Sequence, residues 1–172
     1  DGDRMSHGTG PSVHASVVQF NQGAVMLMGP SGSGKSTLAL ALIRQKNARL
    51  VADDRVLLDT DAEQNLCATA PQNIACLIEV RGMGLLRIGT EGAAPLPAVI
   101  RLAVELVARK DVPRLPAEIY LPPQNDLQHQ PIPLLRLHAF DAQTVDVIML
   151  ALATIGQQGF AEDDIHTLPK DA

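Results

Sequence analysis

Short apolar runs broken by polar or glycine-bearing turns organise the first half of the chain. Val13 to Phe20 is rich in β-branched residues and predicts a strand. Asn21-Gln22-Gly23 then predicts a tight turn into a second apolar run, Ala24 to Met28, so the two runs form a hairpin. Ser36 to Lys46, with its Leu and Ala positions, predicts a helix. Arg49 to Ala52 is a short buried strand ended by Asp53-Asp54, and Val56 to Asp59 is another. Asp61 to Asn65 is a polar turn. Further on, Ala75 to Val80 reads as a strand, Gly82-Met83-Gly84 as a flexible joint, and Thr90 to Pro97 as a linker loop.

Val99, Leu102 and Leu106 fall on one side of a helical wheel, so Val99 to Ala108 predicts a second helix. Ile119 to Leu121 and Leu134 to Leu137 read as strands on either side of the Pro-rich stretch from Pro122 to Pro133. Asp141 is placed to cap a helix from Ala142 to Ile155, with Gly156 as its stop. Strands alternating with helices predict an α/β protein with a mixed or parallel sheet and flanking helices. At 172 residues the chain suits one domain. We place that domain at 13–158, between a flexible N-terminus at 1–12 and an acidic, loose tail at 159–172. Asp1 to Arg4, ahead of Met5, read as an appended remnant.

Between the first hairpin and the first helix stands Gly29-Pro30-Ser31-Gly32-Ser33-Gly34-Lys35-Ser36. It satisfies G-x-x-x-x-G-K-[ST], the phosphate-binding P-loop, in its expected strand-to-helix setting. Glycines let successive backbone N–H groups turn toward one anion, and the helix N-terminus adds its positive dipole. Lys35 is expected to reach the phosphates and the Ser36 hydroxyl to hold Mg²⁺. The chain carries a formal net charge of −5, which disfavours a nucleic-acid partner. Such a protein has to concentrate positive charge locally to hold a polyphosphate. No apolar run approaches the length of a membrane span. Cys67 and Cys76 have no metal-ligand spacing around them and read as reduced, half-buried thiols of a cytoplasmic protein.

Three other features carry candidate chemistry. Asp53-Asp54 can hold Mg²⁺ or take the proton of an attacking hydroxyl, and adjacent carboxylates raise one another's pKa. Either residue fits either role, and a solvated turn is the bland alternative. Glu79 and Arg81 alternate along an extended segment, so both side chains point to one side, toward a metal and a phosphate or simply into a surface ion pair. His14 lies on the strand before the P-loop, where a lone histidine is more often a packed or solvated residue than a catalytic one.

Taken together, His14, the GPSGSGKS run, Leu50-Val51-Ala52-Asp53-Asp54 and Ile78-Glu79-Val80-Arg81-Gly82-Met83-Gly84 resemble the catalytic domain of the HPr kinase/phosphorylase family. The resemblance covers roughly residues 13 to 90, and weaker similarity runs on to the helix near 150. The chain looks like the short proteobacterial form that lacks the family's N-terminal domain. What the resemblance implies is a P-loop-containing core like that of phosphoenolpyruvate carboxykinases. It further implies an ATP- and Mg²⁺-dependent serine kinase acting on HPr, or an HPr-like phosphocarrier of the phosphotransferase system, and a homo-oligomer.

By position, the resemblance gives Gly29 through Thr37 to the nucleotide, Lys35 to the β-phosphate, and Ser36 with Glu79 to Mg²⁺. It puts His14 at the phosphate end of the site. Asp54 is favoured as the base that deprotonates the target serine, with Asp53 in support. Arg81 falls in the family signature, and Arg114 matches an arginine thought to serve catalysis. Two departures stand out. Thr37 occupies a position where long members often carry Glu. Arg136 to Ala142 stands where the family has a P-V-x-P-G-R-N loop tied to the reverse, phosphorylase reaction. That absence leaves the kinase half of the expectation intact and weakens the phosphorylase half. Two readings compete: a small-molecule kinase, and a nucleotide-binding sensor that regulates a two-component partner. The P-loop reads phosphates and not a base, so ATP and pyrophosphate both remain open as donors.

Overall fold

The computed structural model describes residues 11–72, 76–88, 97–115, 118–120 and 127–170. Its first strands are β1 (Ser12–Val13), β2 (Ala15–Phe20) and β3 (Gly23–Met28), with β2 and β3 forming the expected hairpin. The P-loop leads into α1 (Lys35–Lys46). Arg44 and Lys46 in its last turn complement the helix dipole, and Asn47 in the left-handed conformation closes it. β4 (Arg49–Ala52), β5 (Val56–Thr60) and β6 (Leu66–Thr69) come next, with Asp61 making the turn between the last two through bonds to Glu63 and Asn65.

β7 (Leu77–Val80) and β8 (Gly84–Arg87) pair as a separate antiparallel hairpin. Gly82-Met83-Gly84, expected to be a flexible joint, lies at its tight turn, where the Met83 N–H donates to the Val80 carbonyl at 2.9 Å. Buried Ile78 anchors this hairpin in the core beneath α1. The expected linker at 90–97 lies outside the described residues except at Pro97.

The expectation of a helix over Val99–Ala108 is overturned. The segment is β9 (Ala98–Leu106), the longest strand and the centre of the sheet. β9 pairs with β3 along one side, and with β6 and β11 (Pro133–Leu137) along the other. Leu102 and Val104 face the core under the helices, and Ile100 and Ala103 face a second core on the opposite side. A strand buried on both faces loses the apolar–polar alternation that marks a half-exposed strand. The spacing of Val99, Leu102 and Leu106 therefore imitated a helix.

The main sheet runs β1-β5-β6-β9-β3-β2-β4, with β11 also on β9 and β10 (Glu118–Ile119) on β11. It is a mixed sheet that curls, so that β5 and β6 lie against β2 and β4. The other face is covered by α1, α2 (Thr144–Ala153) and α3 (Ile155–Gln158). Asp141 does not cap α2 with its side chain as expected, because Arg109 holds that carboxylate; Gln143 stands at the cap position. Gly156 does not end the helix either. It sits inside α3, where a Cβ would lie 3.4 Å from the Arg101 carbonyl, so glycine lets α3 rest on β9. Cys67 is buried and Cys76 half-buried, both as free thiols. Among the described residues no helix is long and apolar enough to cross a membrane.

Strand direction, more than strand order, fixes where a ligand can sit. β2 is antiparallel to both β3 and β4, so β3 and β4 run the same way, and β9 and β11 are parallel to β3. The C-terminal ends of four strands and the start of β2 therefore meet at one edge of the sheet. Such an edge is where open α/β sheets bind ligands.

Replacing Leu102 by Ala should remove about 2–5 kcal/mol of stability, the usual loss for a fully buried leucine. Urea unfolding of the variant measures it. A loss below about 1 kcal/mol would contradict the central placement of β9.

Candidate active site

The P-loop leaves β3 at that edge. Gly29 has φ 149°, and a Cβ there would stand 2.6 Å from Ser33 Oγ and 3.0 Å from the Leu106 carbonyl, so only glycine admits the turn beside β9. Ser33 Oγ is buried with no hydrogen-bond partner. A buried hydroxyl left open in a loop of inward-turned backbone is what an anion cradle supplies. Lys35, almost fully buried, donates from Nζ to the Gly29 carbonyl at 2.8 Å and the Pro30 carbonyl at 3.1 Å. Burial holds its pKa below the ordinary 10.5, and Asp54 and Asp53 pull the other way.

The two aspartates after β4 part company. Asp53 is buried, and its carboxylate gathers donors from three elements. Ser16 Oγ on β2 donates at 2.6 Å, Ser36 Oγ on α1 donates to its two oxygens at 2.8 and 3.0 Å, and the Glu79 N–H on β7 donates at 3.0 Å. Asp54 has φ 69°, and the Arg55 N–H closes back onto the Asp53 carbonyl at 2.8 Å. A non-glycine residue held at positive φ in so short a turn is strained, and such strain collects at functional sites. The turn swings Asp54 out, 78% exposed, to where His14 Nε2 donates to its Oδ1 at 2.8 Å.

His14, Ser31, Gly32, Gly34, Lys35, Ser36, Thr37, Asp54, Glu79 and Arg81 line one open cavity of about 220 Å³. Arg81 leans over the P-loop, its Nη2 within 3.9 Å of where a Cβ on Gly32 would lie. Gly29, Pro30 and Ser33 form the loop's inner turn behind this lining. Among the described residues no cluster of three or more His, Cys, Asp or Glu side chains could hold a metal by itself. An Mg²⁺ ion here, held by Ser36 with Glu79, would take most of its oxygens from phosphate and water, as Mg²⁺ commonly does.

Arg114 is not in this group. It stands after the 3₁₀ turn Arg109–Asp111 and lines a different cavity of about 430 Å³, with Leu137, Val147 and Leu150 among its neighbours. Two residues of the site escaped the sequence reading. Ser16 is one of two polar positions in β2, with Gln19, and its meaning depends on Asp53 lying opposite. Phe140 joins the cavity from the loop after β11, and the only signal for it was an aromatic residue in a chain with few.

Comparison with known proteins agrees with the motif pattern. The family model described as HPr Serine kinase C-terminal domain matches residues 6–154. An HPr kinase/phosphorylase from Limosilactobacillus reuteri is 43% identical over 79 residues, 46% of this chain and 24% of that protein. One from Geobacillus kaustophilus is 38% identical over 98 residues, 55% of this chain and 31% of that protein. The match thus spans about a quarter to a third of these relatives' length. A solved structure described as the HPr(Ser) kinase/phosphatase from Coxiella burnetii aligns with a TM-score of 0.67 at 21% identity, covering 80% of this chain and 91% of that one. At that identity the likeness is one of fold.

The geometry sets two expected outcomes. Ser16→Ala removes a fully buried donor to a carboxylate and should lower stability by about 1.5–3 kcal/mol, read by thermal or urea unfolding. Lys35 has a folded-state pKa lowered below 10.5, so the unfolded chain binds more protons as pH climbs toward that value. Its contribution to stability should rise with pH through that alkaline window and level off above 10.5. Lys35→Met should abolish this rise in the difference between the pH–stability curves of the two proteins.

Proposed function

The chain belongs to the HPr serine kinase C-terminal domain family, and on that premise we propose that it is an ATP- and Mg²⁺-dependent protein serine kinase whose substrate is HPr or an HPr-like phosphocarrier. The observation that carries this reading is the divided aspartate pair. Asp53 is saturated by donors and fixes Ser36, whereas Asp54 is exposed, strained and beside His14 in the phosphate cavity. A protein that only sensed a nucleotide would need the cradle but no poised base.

In the mechanism, the Gly29–Thr37 backbone and Lys35 hold the phosphate chain. Lys35 exchanges its bonds to the Gly29 and Pro30 carbonyls for phosphate oxygens. Asp53 orients the Ser36 hydroxyl, and Ser36 with Glu79 would hold the metal. Bound Mg²⁺ supplies charge neutralisation between the phosphates. Asp54 accepts the proton of the incoming serine hydroxyl, and His14 keeps the Asp54 carboxylate oriented until then. Arg81, over the P-loop, offsets charge on the transferring phosphoryl group. We propose the forward transfer alone, because the loop after β11 lacks the phosphorylase-type sequence. Arg114, lining the other cavity, is left out of the mechanism.

The test is transfer from Mg²⁺-ATP to HPr-type phosphocarriers, followed by intact-protein mass spectrometry. One phosphate added to a serine is expected. Asp54→Asn should lower the rate by at least about 10²-fold while ATP still binds, and Lys35→Ala should abolish transfer. Transfer unchanged in Asp54→Asn would remove the base from Asp54. ATP binding with no transfer to any such carrier would favour the sensor reading.

A further inference from the structure

The chain has four aromatic residues, three Phe and one Tyr. Phe20 and Tyr120 are buried, and Phe160 packs against the core under the helices. Phe140 alone is largely exposed, at 60%, and it borders the phosphate cavity. Its loop is not slack. Arg109 Nε donates to Asp141 Oδ1 at 2.8 Å, and Nη2 of the same guanidinium donates to the same oxygen. His138 Nδ1 meets the Val107 carbonyl at 2.9 Å, and Thr144 Oγ1 donates to the His138 carbonyl at 2.6 Å. The His138 ring stands edge-on to Phe140, with centroids 5.8 Å apart.

The loop presses on the P-loop itself. A Cβ on Gly34 would lie 2.7 Å from Ala139 Cβ and 2.9 Å from Phe140 Cζ. Gly34, at φ 100°, is the residue from which α1 springs. The ring is thus an apolar plate, tied down on both sides, at the rim of a cavity otherwise lined by charge, hydroxyl and backbone. Bare phosphate has no use for such a plate. A flat heterocycle joined to the phosphates does, because every nucleobase offers a π-face for stacking.

We propose that Phe140 is the platform on which the base of a nucleoside triphosphate stacks, so that this site takes a nucleotide in preference to a bare polyphosphate. The inference rests on the phosphate-binding reading of the P-loop. Stacking is tolerant of which base is present, so the platform selects the class and not the individual nucleotide. Pre-setting the ring limits the ordering lost on binding.

The experiment is calorimetric titration of the whole chain, with Mg²⁺, against ATP and against tripolyphosphate. The unaltered protein should bind ATP about tenfold more tightly, the lower part of the range for one stacked base. Phe140→Ala should erase that advantage and leave tripolyphosphate affinity unchanged. Phe140→Trp should keep it. The chain has no other tryptophan, so the new indole reports alone; its fluorescence should be quenched by ATP and not by tripolyphosphate. Equal loss for both ligands in Phe140→Ala would make the ring a prop for Gly34 and overturn the proposal, as would no change for either. If the unaltered protein binds both ligands equally, stacking falls and the phosphate reading stands. If it binds neither, the phosphate reading falls and takes this inference with it.

Discussion

A carboxylate withdrawn from water has to be met by donors, and Asp53 is met by three, each from a different element. Ser16 brings β2, Ser36 brings the first turn of α1, and the Glu79 N–H brings the separate hairpin of β7 and β8. Among the described residues the hairpin shares no strand pairing with the main sheet, so this bond, the buried Ile78 and the packing of Val80, Leu86 and Ile88 on the core hold Glu79 and Arg81 where they lie. The same carboxylate sets the Ser36 hydroxyl at the mouth of the P-loop. Removing it would strand the buried Ser16 hydroxyl, the half-buried Ser36 hydroxyl and one amide, and loosen the cavity from three sides.

Around that fixed point the site distributes opposite charges across short distances. The protein is acidic overall, yet its buried lysine lies in the P-loop with its amine on two backbone carbonyls. In the proposed mechanism those carbonyl bonds are a resting arrangement. They satisfy the ammonium while burial disfavours its charge, and a phosphate chain offers it a better partner. Asp54 borders the same cavity as this cradle, turned outward by one left-handed residue. One backbone dihedral thus separates two identical side chains into a structural anchor and an exposed carboxylate.

The sheet delivers these parts to one place through strand direction. β3, β4, β9 and β11 end at the same edge, and each leads into a different working part. These are, in turn, the glycine-rich loop, the aspartate pair, the Arg109 tether and the Phe140 turn. β9 at the centre carries little chemistry of its own. Its contribution is to hold β3 and β11 in parallel, which brings the Phe140 turn over Gly34.

The sequence alone determined whatever depends on neighbours along the chain. The Gly29–Ser36 loop, the turn at Asn21–Gly23, the strand Arg49–Ala52 and the helix behind Lys35 are set by local backbone preference, and each was legible before any contact was known. The cluster of His14, the P-loop, the aspartates and Glu79 was readable as a set through its spacing and family resemblance. Other features depended on partners distant in the chain. Residues 98–106 form a strand because strands on both edges and cores on both faces claim them, a condition no local periodicity encodes. The separate fates of Asp53 and Asp54 hinge on donors 37, 17 and 26 positions away. Arg114 sits apart from the cavity, and Phe140 joins it, because chain direction after β9 and β11 carries one away and returns the other. Local preference writes the cradle into the sequence; only the closing of a curled sheet decides which side chains surround it.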